Sequence, residues 1–133
     1  MRRLVVLLGL LETACGGGGN GGQSSPTPQP FNQTITGTVS VFGTTSHQLT
    51  VPRAGNMSIT LAWSGSADLD LYLTNSGCSE FAVLATCTLH AAADGVVNPE
   101  RVLRTVTANE AFKLWVDNFS NQSVNYSLTI RVE

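Results

Sequence analysis

Charge is scarce in this sequence. Seven Lys and Arg and nine Asp and Glu make up 12% of the 133 residues, roughly half the charged share of an ordinary soluble protein. The formal net charge of −2 supplies no basic face of the kind nucleic acid requires, and no acidic run suggests a cation buffer. Histidine is nearly missing, with only His47 and His90. A serine or cysteine hydrolase needs a nucleophile, a base and an orienting group. His47 shares the parity of Leu49 and Val51 and reads as a partly buried edge residue, while His90 has no GxSxG-like turn nearby. No HExxH, P-loop or strand-following GxGxxG occurs. A helical period over 10–15 residues is also lacking, which argues against α/β folds. These absences together describe a chain that is not an enzyme.

What is present begins with an address. Arg2 and Arg3 precede an apolar stretch over 4–11, and the small residues Thr13 and Ala14 then lead into Cys15. That is the layout of a secretory signal. As a helix the apolar stretch would span about 12 Å, short of the roughly 20 residues a bilayer crossing needs. The segment resembles bacterial lipoprotein signals, in which the cysteine is lipidated and becomes the first residue. Glu12 departs from that pattern, since it stands where an apolar residue is usual and should hinder entry into an apolar peptidase site. Residues 1–15 are therefore read as a leader that anchors the chain at Cys15. Plain secretion is the competing reading.

Residues 16–30, GGGGNGGQSSPTPQP, hold no large apolar residue and read as a linker, flexible in its Gly half and extended in its Pro half. From Phe31 the hydrophobic period becomes 2. Ile35, Val39 and Val41 alternate with Thr and Ser. The same alternation with residues of the opposite parity runs through Met57, Ile59, Leu61 and Trp63; Leu69, Leu71 and Leu73, between Asp68, Asp70 and Tyr72; Phe112, Leu114 and Val116, between Lys113, Trp115 and Asp117; and Val124, Tyr126, Leu128, Ile130 and Val132. Such alternation marks strands with one buried and one wet face. Residues 100–106 add a strand that places Arg104 on its apolar face, and 76–99 reads as one long irregular segment. About seven or eight short strands with Gly, Asn and Pro turns predict an all-β, two-sheet antiparallel β-sandwich of jelly-roll type over 31–133.

Within that domain WSGSADLDLYL at 63–73, NPER at 98–101, FKLWVDN at 112–118 and VNYSLTIRV at 124–132 occur in one order. Together they resemble the bacterial pre-peptidase C-terminal domain family, over about residues 33–133. The resemblance implies a β-sandwich module of the kind appended to secreted peptidases, similar in fold to collagen-binding modules. This sequence carries no peptidase, so a role as an appendage would act in trans.

Cys78 and Cys87 remain once Cys15 is assigned to the leader, and in an exported chain they are expected to form a disulfide. Phe81, Val83, Leu84 and Leu89 between or beside them should pack down on a sheet. Tyr72 and Trp115 have the solvent parity of their strands, with Lys113 and Asp117 flanking Trp115. These four are the candidate binding residues, since exposed aromatics stack sugars or anchor protein partners; the alternative is that the long loop or the neighbouring strand covers each ring. Asp68 and Asp70 share one side of a strand. Either they solvate a strand end, or with Glu100 they offer oxygen ligands to a calcium ion. Some collagen-binding relatives hold calcium through an acidic linker, which residues 16–30 lack; no other cofactor is implied. Two functions follow: a module at the outer membrane or cell surface binding a protein or polysaccharide, or a self-associating envelope subunit whose segment Thr34 to Val41 joins a neighbour's sheet.

Overall fold

The computed structural model describes residues 29–80 and 87–133. Its strands are β1 (Phe31–Val39), β2 (Thr44–Thr50), β3 (Gly55–Trp63), β4 (Leu69–Asn75), β5 (Leu89–Ala93), β6 (Glu100–Val106), β7 (Ala111–Asn118) and β8 (Val124–Val132). They form two four-stranded sheets, β1-β8-β3-β6 (sheet A) and β2-β7-β4-β5 (sheet B), in which every neighbouring pair is antiparallel. The chain changes sheet at every connection except β4 to β5, which is the wrapping of a jelly roll.

The alternation builds the core directly. Met57, Ile59 and Leu61 of β3 and Leu128, Ile130 and Val132 of β8 face Leu69, Leu71 and Leu73 of β4 and Phe112, Leu114 and Val116 of β7, all buried. Arg104 does face inward. Its guanidinium lies 5.4 Å from the centre of the Phe112 ring and pairs with Glu110 at 3.3 Å. That arrangement keeps a cation tolerable at the margin of an apolar layer.

Three expectations need correction. Val41 does not continue the first strand; it stands in the β1–β2 turn, largely exposed. The span 76–99 is not irregular throughout, since it contains β5, an edge strand on β4. Leu89 opens that strand pointing to solvent rather than packing down, whereas Phe81, Val83 and Leu84 lie outside the described residues. The segment expected to join a neighbour's sheet lies in β1, the edge strand of sheet A: it pairs with β8 from Phe31 opposite Val132 to Val39 opposite Val124, and among the described residues no strand pairs with its other edge.

Register also fixes the two ends of the sandwich. Val39 lies opposite Val124, Leu61 opposite Glu100, Thr44 opposite Asp117 and Leu71 opposite Ala93. The turns 40–43, 64–68, 94–99 and 119–123 therefore gather at one end. Phe31, which follows the linker, lies at the other end with the C-terminus and the turns 51–54 and 107–110.

Candidate functional site

The four binding candidates meet on one surface. Cross-strand register sets Tyr72 opposite Trp115, Thr74 opposite Lys113 and Asp70 opposite Asp117, all on the outer face of sheet B. Of the two readings of the aromatics, open to solvent or covered, the structure bears out the second. Trp115 is only 6% exposed and Tyr72 is half-buried. The Trp115 indole N–H donates to Thr74 Oγ1 at 2.9 Å, and the Lys113 ammonium sits 5.1 Å from the centre of the indole. The same ammonium donates to the carbonyl of Cys78, and Gln48 donates to the carbonyl of Ser76. The chain leaving β4 is thus drawn back across this face. Cys78, itself buried, is bonded to Cys87 as expected, with Cα atoms 5.1 Å apart. The indole face is not an open stacking platform.

Carboxylates gather where β4 begins. The Tyr72 hydroxyl donates to Asp70 Oδ2 at 2.7 Å. Burial raises the Asp70 pKa, the Tyr72 hydrogen bond offsets part of this, and Asp68, Asp94 and Asp117 add to it. Burial and the Asp70 carboxylate likewise raise Tyr72 far above its ordinary value. Thr44 Oγ1 donates to Asp117 at 2.7 Å, while Asp68 keeps one buried oxygen without a hydrogen bond.

Glu100 behaves differently from the other acids because its parity on β6 turns it inward. Its two oxygens accept the backbone N–H groups of Leu71 at 3.0 Å and Gly95 at 2.8 Å. Burial, with repulsion from Asp70 and Asp68 and against those two hydrogen bonds, pushes its pKa up to about 7. Asp70 faces outward and Glu100 inward, so the expected calcium set of Asp68, Asp70 and Glu100 does not converge. Among the described residues no three His, Cys, Asp or Glu side chains form a metal-holding group.

The histidines are both engaged in packing. His47 Nε2 lies 2.6 Å from the Tyr126 hydroxyl, and His90 sits edge-on to Phe112 with ring centres 5.5 Å apart. Burial lowers the pKa of each.

A second cluster went unseen in the sequence. Of the seven exposed large hydrophobic residues among the described residues, Val41, Phe42, Phe119, Val96 and Val97 stand on turns at the end remote from Phe31. Phe42 is held at φ 46°, a left-handed conformation that bulky side chains rarely adopt. Its N–H donates to the Ser120 carbonyl at 3.2 Å, bringing its turn beside that of Phe119. Asn118 fastens both turns: its side-chain amide donates to the Ser40 and Gln122 carbonyls at 2.8 Å each, and its oxygen accepts from Ser120. Phe119 N–H reaches the Asp68 carbonyl, and Asn98 and Trp63 exchange hydrogen bonds, so all four turns are stitched together. Val41-Phe42 before Gly43 and Val96-Val97 before Asn98 were a legible signal, being apolar pairs where a turn should be polar.

No protein-family model matches the chain, and no curated protein matches it. Solved structures share its fold. The pre-peptidase C-terminal domain of a Bacillus anthracis collagenase is 19% identical, with a TM-score of 0.56 over 74% of this chain and 88% of its own. Aeromonas hydrophila PliG, a periplasmic inhibitor of g-type lysozyme, is 13% identical, with a TM-score of 0.55 over 77% and 86%. The Yersinia pseudotuberculosis-derived mitogen is 23% identical, with a TM-score of 0.56 over 79% and 88%. At these identities the likeness is one of fold, and the chain has the β-sandwich of pre-peptidase C-terminal domains.

Proposed function

We propose that this chain is an exported, non-catalytic binding module that engages a protein partner through the turns at the end remote from Phe31. The observation that carries the reading is the concentration of exposed Val41, Phe42, Phe119, Val96 and Val97 on those turns. Exposed apolar patches mark interaction sites; Val41, Phe42 and Phe119 stand on neighbouring turns, and Val96 and Val97 on the turn at the opposite edge of the same end. Phe42 holds a left-handed backbone conformation that costs energy for a bulky side chain, as is common at binding positions. Asp68, Asp94 and Asp117 stand at the same end. A partner presenting apolar groups ringed by Lys or Arg would complement it.

Export is supported by the Cys78–Cys87 disulfide and by the periplasmic setting of one fold neighbour. Anchoring through Cys15 is the finer part of the reading and lies outside the described residues. A tether there would enter the domain at Phe31 and turn the apolar end away from the membrane.

A photo-crosslinking phenylalanine analogue at Phe42 or Phe119, in cells producing the chain, tests this. A discrete adduct with another protein is expected from both positions and not from Thr34 on sheet A. Adducts that are dimers of the chain itself would favour the self-assembling subunit instead, and equal adducts from Thr34 would remove the reading.

A further inference from the structure

We propose that the outer face of sheet A is a second binding site, a groove for an acidic polysaccharide whose carboxylate or sulfate groups are clamped by Arg101 and Arg131. On β3, Thr60 lies opposite Arg101 of β6 and Ser58 lies opposite Arg131 of β8. The two arginines thus flank β3, about 10 Å apart across the strands and about 7 Å along them. Two cavities of about 410 and 350 Å³ open on this face, and Ser58, Arg101 and Arg131 line both, making one continuous groove. Its walls come from β3, β6, β8 and Glu133, and among the described residues no loop lines it. An extended occupant fits such a shape better than a small enclosed one.

The chemistry of the lining narrows the class. Both arginines are exposed, and among the described residues no carboxylate pairs with either guanidinium; the ion pair there is Arg104 with Glu110. A planar guanidinium fork matches carboxylate and sulfate oxygens two at a time. The hydroxyls of Ser58, Thr60 and Thr129 in the floor can exchange hydrogen bonds with sugar hydroxyls. Among the described residues no aromatic side chain lines the groove, so a neutral glycan would lack the stacking that usually holds it. An acidic protein would bring apolar anchors, for which the groove offers only the exposed Leu103. Glu133 stands at one margin and would direct the acidic groups toward the arginines. The site is independent of the apolar end and does not rest on the function proposed there.

Titration of the full chain with polygalacturonate, dextran sulfate, neutral dextran and polyglutamate decides the matter. Binding of at least one acidic polysaccharide is expected, weakening with salt and exceeding that of dextran and polyglutamate. Arg101→Ala with Arg131→Ala should lower the affinity by about tenfold or more. Arg53→Ala, outside the groove, should change it by less than about twofold, with unaltered circular dichroism in both variants. Preference between polygalacturonate and dextran sulfate identifies the acidic group. The proposal is overturned if neither acidic polysaccharide binds, if dextran or polyglutamate binds as well, if the double variant binds like the parent, or if Arg53→Ala loses as much.

Discussion

The carboxylate of Glu100 on β6 accepts the backbone N–H of Leu71 on β4, 3.0 Å away, so a side chain of sheet A satisfies a main-chain group of sheet B. With its second oxygen on Gly95, Glu100 holds together one edge of the end where the turns meet.

That position makes stability depend on pH. Glu100 has an ordinary value of 4.5 and is raised to about 7 in the fold, mainly by burial. The folded chain therefore binds this proton more tightly than the unfolded chain. The stabilisation it brings is complete below about pH 4.5 and is lost as pH rises through about 7. Asp70, also raised, acts in the same direction. Glu100→Gln should remove the Glu100 share of this slope. It should also cost about 1–2 kcal/mol at pH 5, because an amide cannot accept both N–H groups. Urea denaturation of parent and variant at pH 5 and pH 7.5 measures both; a difference that does not change with pH would contradict the assignment.

Asn118 is buried with each of its side-chain polar atoms engaged. Asn118→Ala leaves the Ser40 and Gln122 carbonyls without it and should lower stability by about 2–4 kcal/mol. Amide exchange should speed up in 40–43 and 119–123 before it does in β3 or β8.

A methyl group at Gly37 would meet the Tyr126 hydroxyl at 2.5 Å, in the space where Tyr126 reaches His47. Gly37→Ala should therefore cost about 1–3 kcal/mol through overpacking. Gly37→Ala combined with Tyr126→Phe, which removes the obstructing oxygen, should recover part of the loss. Thermal melts of the single and double variants check this.

Cys78→Ser with Cys87→Ser opens a short loop and should cost about 2–3 kcal/mol in the chain-entropy account while leaving both sheets intact. Because Cys78 receives the Lys113 ammonium over Trp115, the variant's tryptophan emission should shift to the red. Unchanged emission would mean that the Trp115 environment does not depend on the bridge.

Phe42→Gly should be neutral or stabilising by about 0.5–1 kcal/mol, since glycine adopts φ 46° without strain and Phe42 is 68% exposed. The same change should weaken partner crosslinking from Phe119. Gained stability together with lost binding is the outcome that distinguishes a binding residue from a merely tolerated one.

Local sequence was enough for every strand but β5, for the sandwich, the disulfide pair and the side of each strand on which Tyr72, Lys113, Trp115 and Asp117 lie. The reason is that parity is set by the extended backbone of each segment, with no reference to the rest of the chain. β5 escaped because His90, Ala91, Ala92 and Ala93 offer little contrast between faces. What covers a face was decided elsewhere. Trp115 is outward by parity yet buried, with its indole N–H on Thr74 and the Lys113 ammonium over its ring. His47 found Tyr126 at a separation of 79 residues, and Glu100 found Leu71 at 29. The apolar end is assembled from turns centred near residues 42, 66, 97 and 121, which a jelly roll brings together only by wrapping. Alternation tells a side chain which way to point; only the long-range return of the chain determines what it meets there.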